Sequence, residues 1–275
     1  MKIYFLIFLA VFLFAGSATG QQKFEPTINS RRDAIKKGSV NEFLSAMETI
    51  SSEAEAMKDW ERASMAYSEA SWVSRSLGQL QKALTHAQKA IETSDRTRNP
   101  VLQLNANMWM GYAYADLGQP EKEREWLKKC VEIVKQIQGS KEFFEGRIYR
   151  QLGQNYLLQN ETQQAIEYIA HSVQVFESLV SSLQRNRVYN PRPRQQIDQI
   201  EPFIVTGLRL LGTAYLQAGN PQEAIKAFER GMVIFTTSAL KSTEDAWLMA
   251  RLGRAYFAQG NFPRAEGLEK NGTSY

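Results

Sequence analysis

Apolar side chains recur at helical spacing along most of this chain, and the stretch Val205–Met232 shows the pattern most fully. Leu208, Leu211 and Tyr215 share one face of a first helix, because residues three and four apart stand one above the other. Gly219 ends that helix, since glycine accepts the left-handed conformation that closes a helix C-terminus. Asn220 then caps a second helix, Pro221 takes its first position and Glu223 completes a capping box. Ile225, Phe228, Met232 and Phe235 mark the buried face of the second helix. Gly212 and Ala224 are small enough for the two helices to approach closely. The stretch predicts a helical hairpin with both ends specified.

The hairpin repeats. Turns comparable to Gly219-Asn220 stand at Gly38-Ser39, Gly78-Gln79, Gly118-Gln119, Asn160-Glu161 and Gly260-Asn261, at successive intervals of 40, 40, 42, 59 and 41 residues. Five residues after the turn come Ala83, Ala165, Ala224 and Ala265, with Phe43 and Glu123 as exceptions. Before it, Met110-Gly111, Leu152-Gly153, Leu211-Gly212 and Leu252-Gly253 each precede a tyrosine three residues past the glycine: Tyr114, Tyr156, Tyr215 and Tyr256. A fixed period in this range marks a solenoid, in which each hairpin buries its apolar face against its neighbours.

At these residues the chain resembles the tetratricopeptide repeat (TPR) family, through Leu211, Gly212, Tyr215, Gly219, Ala224 and Phe228 and their counterparts. The resemblance covers roughly residues 60–266 well and 24–58 weakly. It implies an all-α fold, a right-handed α-solenoid of antiparallel helix pairs in a TPR superhelix. Two departures stand out. The family's aromatic early in the first helix is kept as Tyr67 and Tyr149 but replaced by Asn107, Leu208 and Met249. The period also exceeds the usual one of about 34 residues, which looks like the long-helix repeats of the kinesin light chain.

The chain begins with Lys2, an unbroken apolar run Ile3–Ala15 and the small residues Ala18-Thr19-Gly20 before Gln21. These predict a secretory signal peptide over residues 1–20. The run is shorter than the roughly 20 residues that span a bilayer, so no membrane span is expected after cleavage. The mature chain is expected to be exported, periplasmic or secreted. Residues 21–58 follow as a weak helix pair that caps the solenoid, then repeats over 59–183, an insertion over 184–201 and further repeats over 202–275, the last incomplete.

That insertion accounts for the long interval. Arg185, Arg187, Arg192 and Arg194 fall there without an intervening acid, and Pro191 and Pro193 argue against regular helix, although a helical arm running into Pro202 fits the sequence. The insertion reads either as a solvated connection or as a clamp or docking loop for an acidic partner.

Composition narrows the function. A 43% apolar fraction suffices for a continuous core, and a formal net charge of +4 is too weak to imply nucleic acid. Cys130, the only cysteine, shares an apolar helix face with Leu127 and Val134 and reads as a core residue. His86 and His171 stand singly, without partners at ligand spacing, so neither a metal site nor a cofactor is expected. No catalytic constellation emerges. Asn160-Glu161-Thr162 and Asn271-Gly272-Thr273 fit the glycosylation pattern and are read as chance.

The resemblance further implies that one stripe of each first helix lines a concave, peptide-holding surface. In the first three such helices it carries Trp72 and Arg75, then Asn105 and Tyr112, then Arg147, Arg150 and Gln154. In the last two it carries Arg209 and Thr213, then Trp247 and Arg254. Arginines and aromatics without competing carboxylates have the composition of interface hot spots, or else these residues solvate the surface and pack between repeats. Arginine forks favour an acidic ligand. The C-terminal end looks uncovered: Glu269 stands where Phe228 stands one repeat earlier, which leaves Leu252 and Tyr256 short of cover. That end reads as a fragment edge or as a surface capped by another subunit. The expected function is an exported scaffold that binds peptide segments of protein partners, acidic ones above all. The alternative is the sensing or regulatory part of a larger exported enzyme, for example a peptidase.

Overall fold

The computed structural model describes residues 39–139, 141–185, 193–237 and 244–272. Among these residues the regular structure is eleven α-helices and no strand, the all-α repeat fold that the period predicts. The expected signal peptide, the first helix of the cap and residues 186–192 of the insertion lie outside the described residues. The described chain falls into two compact units that divide between Lys141 and Glu142.

The first unit holds α1 (Val40–Ala56), α2 (Trp60–Ser76), α3 (Leu80–Ser94), α4 (Pro100–Asp116) and α5 (Pro120–Val134). Each helix packs on the next, and α2 also packs on α4. The second unit holds α6 (Glu142–Leu158), α7 (Thr162–Arg185), α8 (Pro193–Gln217), α9 (Pro221–Thr237), α10 (Glu244–Gln259) and α11 (Phe262–Gly272). Successive helices again pack together, and α8 touches both α6 and α10. Within each unit, then, first helices line up beside first helices.

One turn design closes most hairpins. In the α8–α9 turn the Asn220 N–H donates to the Tyr215 carbonyl and the Gly219 N–H to the Leu216 carbonyl, with Gly219 at φ +71°. These two bonds satisfy carbonyls that the helix end would otherwise leave open. The same pair recurs at Gly78, Gly118, Asn160 and Gly260, all at positive φ. It also recurs at Lys58, a side chain that occupies the left-handed region at φ +57° between α1 and α2. Asn220 Oδ1 accepts from the Glu223 N–H at 3.3 Å, as a cap should. The capping box is only half made: the Asn220 N–H goes to Tyr215, and Glu223 accepts from Lys226 instead.

The small residues sit where the helices come closest. A Cβ on Gly212 would stand 2.6 Å from the Phe228 ring, and one on Gly153 2.4 Å from Ile169 Cγ1. Ser71 replaces the glycine in α2, and its buried hydroxyl donates to the Ala83 carbonyl at 2.9 Å. Phe144, Phe176 and Phe228 are among the largest fully buried side chains. Cys130 is buried beside the Leu104 carbonyl, as the apolar face predicted.

Two expectations need correction. The interval between Asn160 and Gly219 is filled largely by helix, because α7 runs for 24 residues and α8 for 25. Pro193 does not bar helix; it begins α8, at a position whose N–H would be unpaired anyway. Pro202 lies inside α8, eight residues after Arg194, which bonds Asp198 at 2.8 Å and Glu201 at 3.5 Å. Leu252 and Tyr256 do not lack cover: they are 6% and 5% exposed. The Tyr256 hydroxyl donates to Glu229 Oε1 and accepts from Arg264 on α11, so α9 and α11 close over it.

Candidate functional site

The expected stripe on the first helices can be followed unit by unit. In the first unit, Trp72 on α2 is half-buried against the cluster of Phe43, Leu44, Met47 and Val73. Arg75, one turn on, reaches α4: its Nε lies 2.6 Å from Asp116 Oδ2. Its guanidinium also stands 5.7 Å from the Trp109 ring and 5.2 Å from the Tyr112 ring, which meet edge-on. Tyr112 is nearly buried and Asn105 half-buried. The stripe itself carries no acid, but Asp116, beside it on the neighbouring first helix, answers Arg75.

In the second unit, Arg147 on α6 is only 4% exposed and lies 6.0 Å from the Phe143 ring. Arg150 lies 5.8 Å from the ring of Phe203 on α8, and Phe203 in turn packs on Phe143 and Phe176. Both arginines are therefore seated among aromatics. Gln154, Arg209 and Thr213 are half-buried, and the Thr213 hydroxyl donates to the Arg209 carbonyl at 2.9 Å. On α10 the stripe opens to solvent: Trp247 is 57% exposed, Phe257 64%, and Arg254 is exposed with them. Phe257 meets Phe262 of α11, 53% exposed, edge-on at 5.3 Å. The stripe thus changes character along the chain, from side chains held by the protein itself to side chains offered outward.

Three groups escaped the sequence reading. Arg251, half-buried on α10, has its pKa pushed below the ordinary range by burial, then by Arg254 and Arg209. Tyr168 on α7 stacks between Tyr149 and Tyr156 of α6, at 5.8 and 5.2 Å, while His171 meets the Tyr149 ring at 4.3 Å. Burial, then the neighbouring Tyr156, raises the Tyr168 pKa.

The third is a chain of polar groups across α1, α2 and α3. His86 Nδ1 lies 3.1 Å from Ser74 Oγ and Nε2 lies 3.3 Å from Glu48 Oε1. A proton on Nε2 donates to Glu48 while Nδ1 accepts from Ser74, so one tautomer satisfies both contacts. The order Ser–His–Glu suggests a nucleophile with its base, but Ser74 is 0% exposed and reaches no substrate. This is a strut joining three helices, buried at Ser74 and His86 and open to solvent at Glu48. Nearby, the Tyr67 hydroxyl donates to Glu55 at 2.7 Å, and burial with that carboxylate pushes its pKa up to about 12. Among the described residues no group of three His, Cys, Asp or Glu is placed to hold a metal ion, and no helix is long and apolar enough to cross a membrane.

Paired helices, left-handed turn residues and small-on-large contacts define an α-helical repeat protein. The chain belongs to the tetratricopeptide repeat family, whose model matches residues 102–178 and 203–270. Among solved structures it is similar to BtubC (BKLC) from P. vanneervenii, with a TM-score of 0.68 and 16% identity over 86% of this chain and 90% of that one. It is also similar to a Podosopora anserina putative kinesin light chain with nearly identical TPR-like repeats, with a TM-score of 0.58 and 20% identity over 76% and 93% of the two chains. A third likeness is to the APC/C hetero-tetramer Cut9–Hcn1, with a TM-score of 0.55 and 15% identity over 83% and 36%. At these identities the likeness is one of fold. No curated protein matches the sequence. TPR proteins bind protein and peptide partners, and this chain is a repeat protein of that scaffold class.

Proposed function

We propose that this chain is an exported scaffold that holds peptide segments of partner proteins, acidic ones above all, on the faces of its first helices. The observation that carries the reading is the outward stripe on α10. Trp247, Arg254 and Phe257 are exposed on one helix face, although large aromatics normally seek cover. Aromatics and arginine together supply contact area and charge-assisted hydrogen bonds, the usual means of gripping a peptide. The Cut9–Hcn1 assembly, a relative in fold, supports a role in holding a partner. The apolar run Ile3–Ala15 followed by Ala18-Thr19-Gly20 supports export with cleavage before Gln21.

The test has two parts. Expression in the source cell followed by fractionation and N-terminal sequencing should find the chain outside the cytoplasm, beginning at Gln21; a cytoplasmic chain beginning at Met1 would refute export. Trp247→Ala with Arg254→Glu, both at exposed positions, should abolish partner binding without lowering helix content. Undiminished binding by the double variant would refute the assignment of that face.

A further inference from the structure

We propose that Trp109, Tyr112 and Asp116 of α4 form a seat for an arginine side chain of a partner protein, and that the chain's own Arg75 is the resting occupant a partner must displace. The inference goes beyond the reading above, which concerns α10 and acidic side chains, and it stands on the first unit alone.

The three residues fall three and four apart along α4 and so share one face of it. The Trp109 and Tyr112 rings meet edge-on, their centroids 5.4 Å apart at an angle of 74°. Arg75 reaches across from α2 to lie 5.7 Å from the first ring and 5.2 Å from the second, with its Nε 2.6 Å from Asp116 Oδ2. Two aromatic rings and a carboxylate are the partners that suit a guanidinium: the rings attract the cation, and the carboxylate accepts from its N–H groups. Asp116 is the one charged side chain on α4, so that helix offers the seat a negative charge and no competing cation.

The repeat itself has no need of this contact. Counted from the turn residue, the place of Arg75 is taken by Ala115, Leu157, Leu216 and Phe257 in the other described hairpins. The place of Asp116 is taken by Ser76, Leu158, Gln217 and Ala258. A cation and an acid thus enter at two positions that neighbouring hairpins fill without charge, and they face each other across α2 and α4. The two side chains are 20% and 35% exposed, so water screens the pair and holds the closed state only weakly. An incoming guanidinium remakes the contacts that Arg75 gives up, so the exchange is nearly balanced. A neutral or acidic side chain gains nothing from the carboxylate.

The experiment uses the full chain and two labelled peptides, alike except that one carries arginine where the other carries citrulline, which keeps the shape and loses the charge. The arginine peptide should bind and the citrulline peptide should not. Arg75→Ala empties the seat and should tighten the arginine peptide by about tenfold, because the open state is no longer a minority. Adding Asp116→Asn to that variant should take the gain away. The melting midpoint of Arg75→Ala should fall by no more than about 2–4 °C, the scale of an exposed pair. Unchanged affinity in Arg75→Ala, or a gain that survives Asp116→Asn, overturns the inference. Arg75→Gln keeps most of the stem and carries the binding test if only Arg75→Ala fails to fold. A larger fall in midpoint shared by both variants marks Arg75 as a structural strut and also overturns it. Binding of neither peptide by any variant does the same, while the α10 reading still stands or falls by its own double variant. Free arginine that competes as strongly as the peptide would overturn a protein segment as the source of the cation.

Discussion

Gly212 on α8 faces the ring of Phe228 on α9 so closely that a Cβ at Gly212 would stand 2.6 Å from ring carbon. The equivalent glycine of α6, Gly153, faces Ile169 in the same way, with the Ile169 backbone nitrogen at 3.0 Å. Gly111 and Gly253 occupy the same repeat position, yet their nearest neighbours lie at 3.5 and 3.7 Å.

The four glycines should therefore divide into two pairs. Gly153→Ala and Gly212→Ala overpack a close contact and should destabilise the chain by about 1–3 kcal/mol. Gly111→Ala and Gly253→Ala meet ordinary contacts and gain helix propensity, so they should be neutral or stabilising by up to about 1 kcal/mol. Urea melts of the four variants check the division; equal losses at all four positions would contradict the packing described.

The Arg75–Asp116 pair gives a second prediction. Its side chains are 20% and 35% exposed, so the pair contributes modestly, about 0.5–1 kcal/mol. Asp116→Asn should cost about that much in stability. It should also release Arg75 from Asp116, so the first unit gains affinity for an acidic peptide. A titration showing no gain would mean that Arg75 stays committed to Trp109 and Tyr112.

His86 predicts a pH dependence. Burial, the largest influence, pushes its imidazole below the ordinary pKa; Glu48 opposes the shift and Lys82 adds to it. The folded chain thus binds this proton less readily than the unfolded chain, whose histidine titrates near 6.5. The stability that follows is complete above that pH and is lost as pH falls through it toward the lower folded value. Thermal melts taken between about pH 7.5 and about pH 5 should show a falling midpoint, and the fall should be shallower in His86→Gln. Identical slopes in the two proteins would show that His86 is not the responsible group.

Much of the fold is legible in the sequence because its turns are local. Gly78, Gly118, Gly219 and Gly260 announce left-handed turn positions by residue type, and Asn160 does so nearly as well. Lys58 does the same work without the residue type that would reveal it. The length of α8 was hidden because Pro193 breaks a helix at most positions and begins one at the first. The site was legible only in part, since a stripe on one helix says nothing of what a neighbouring helix supplies. Asp116 lies 41 residues after Arg75, one repeat on, and that spacing was the available signal. Arg251 fell beside the stripe, four residues after Trp247, and Arg209, one of the two cations that act on it, comes from α8, 42 residues earlier.

The central claim is that partners are held on the first helices, and photo-crosslinking tests it most directly. Two exposed positions are compared: Trp247 on α10, 57% exposed, and Val233 on the second helix α9, 63% exposed. A photoreactive residue at 247 should crosslink the bound partner, and one at 233 should not. Crosslinks from 233 alone, or equally from both, would contradict the account.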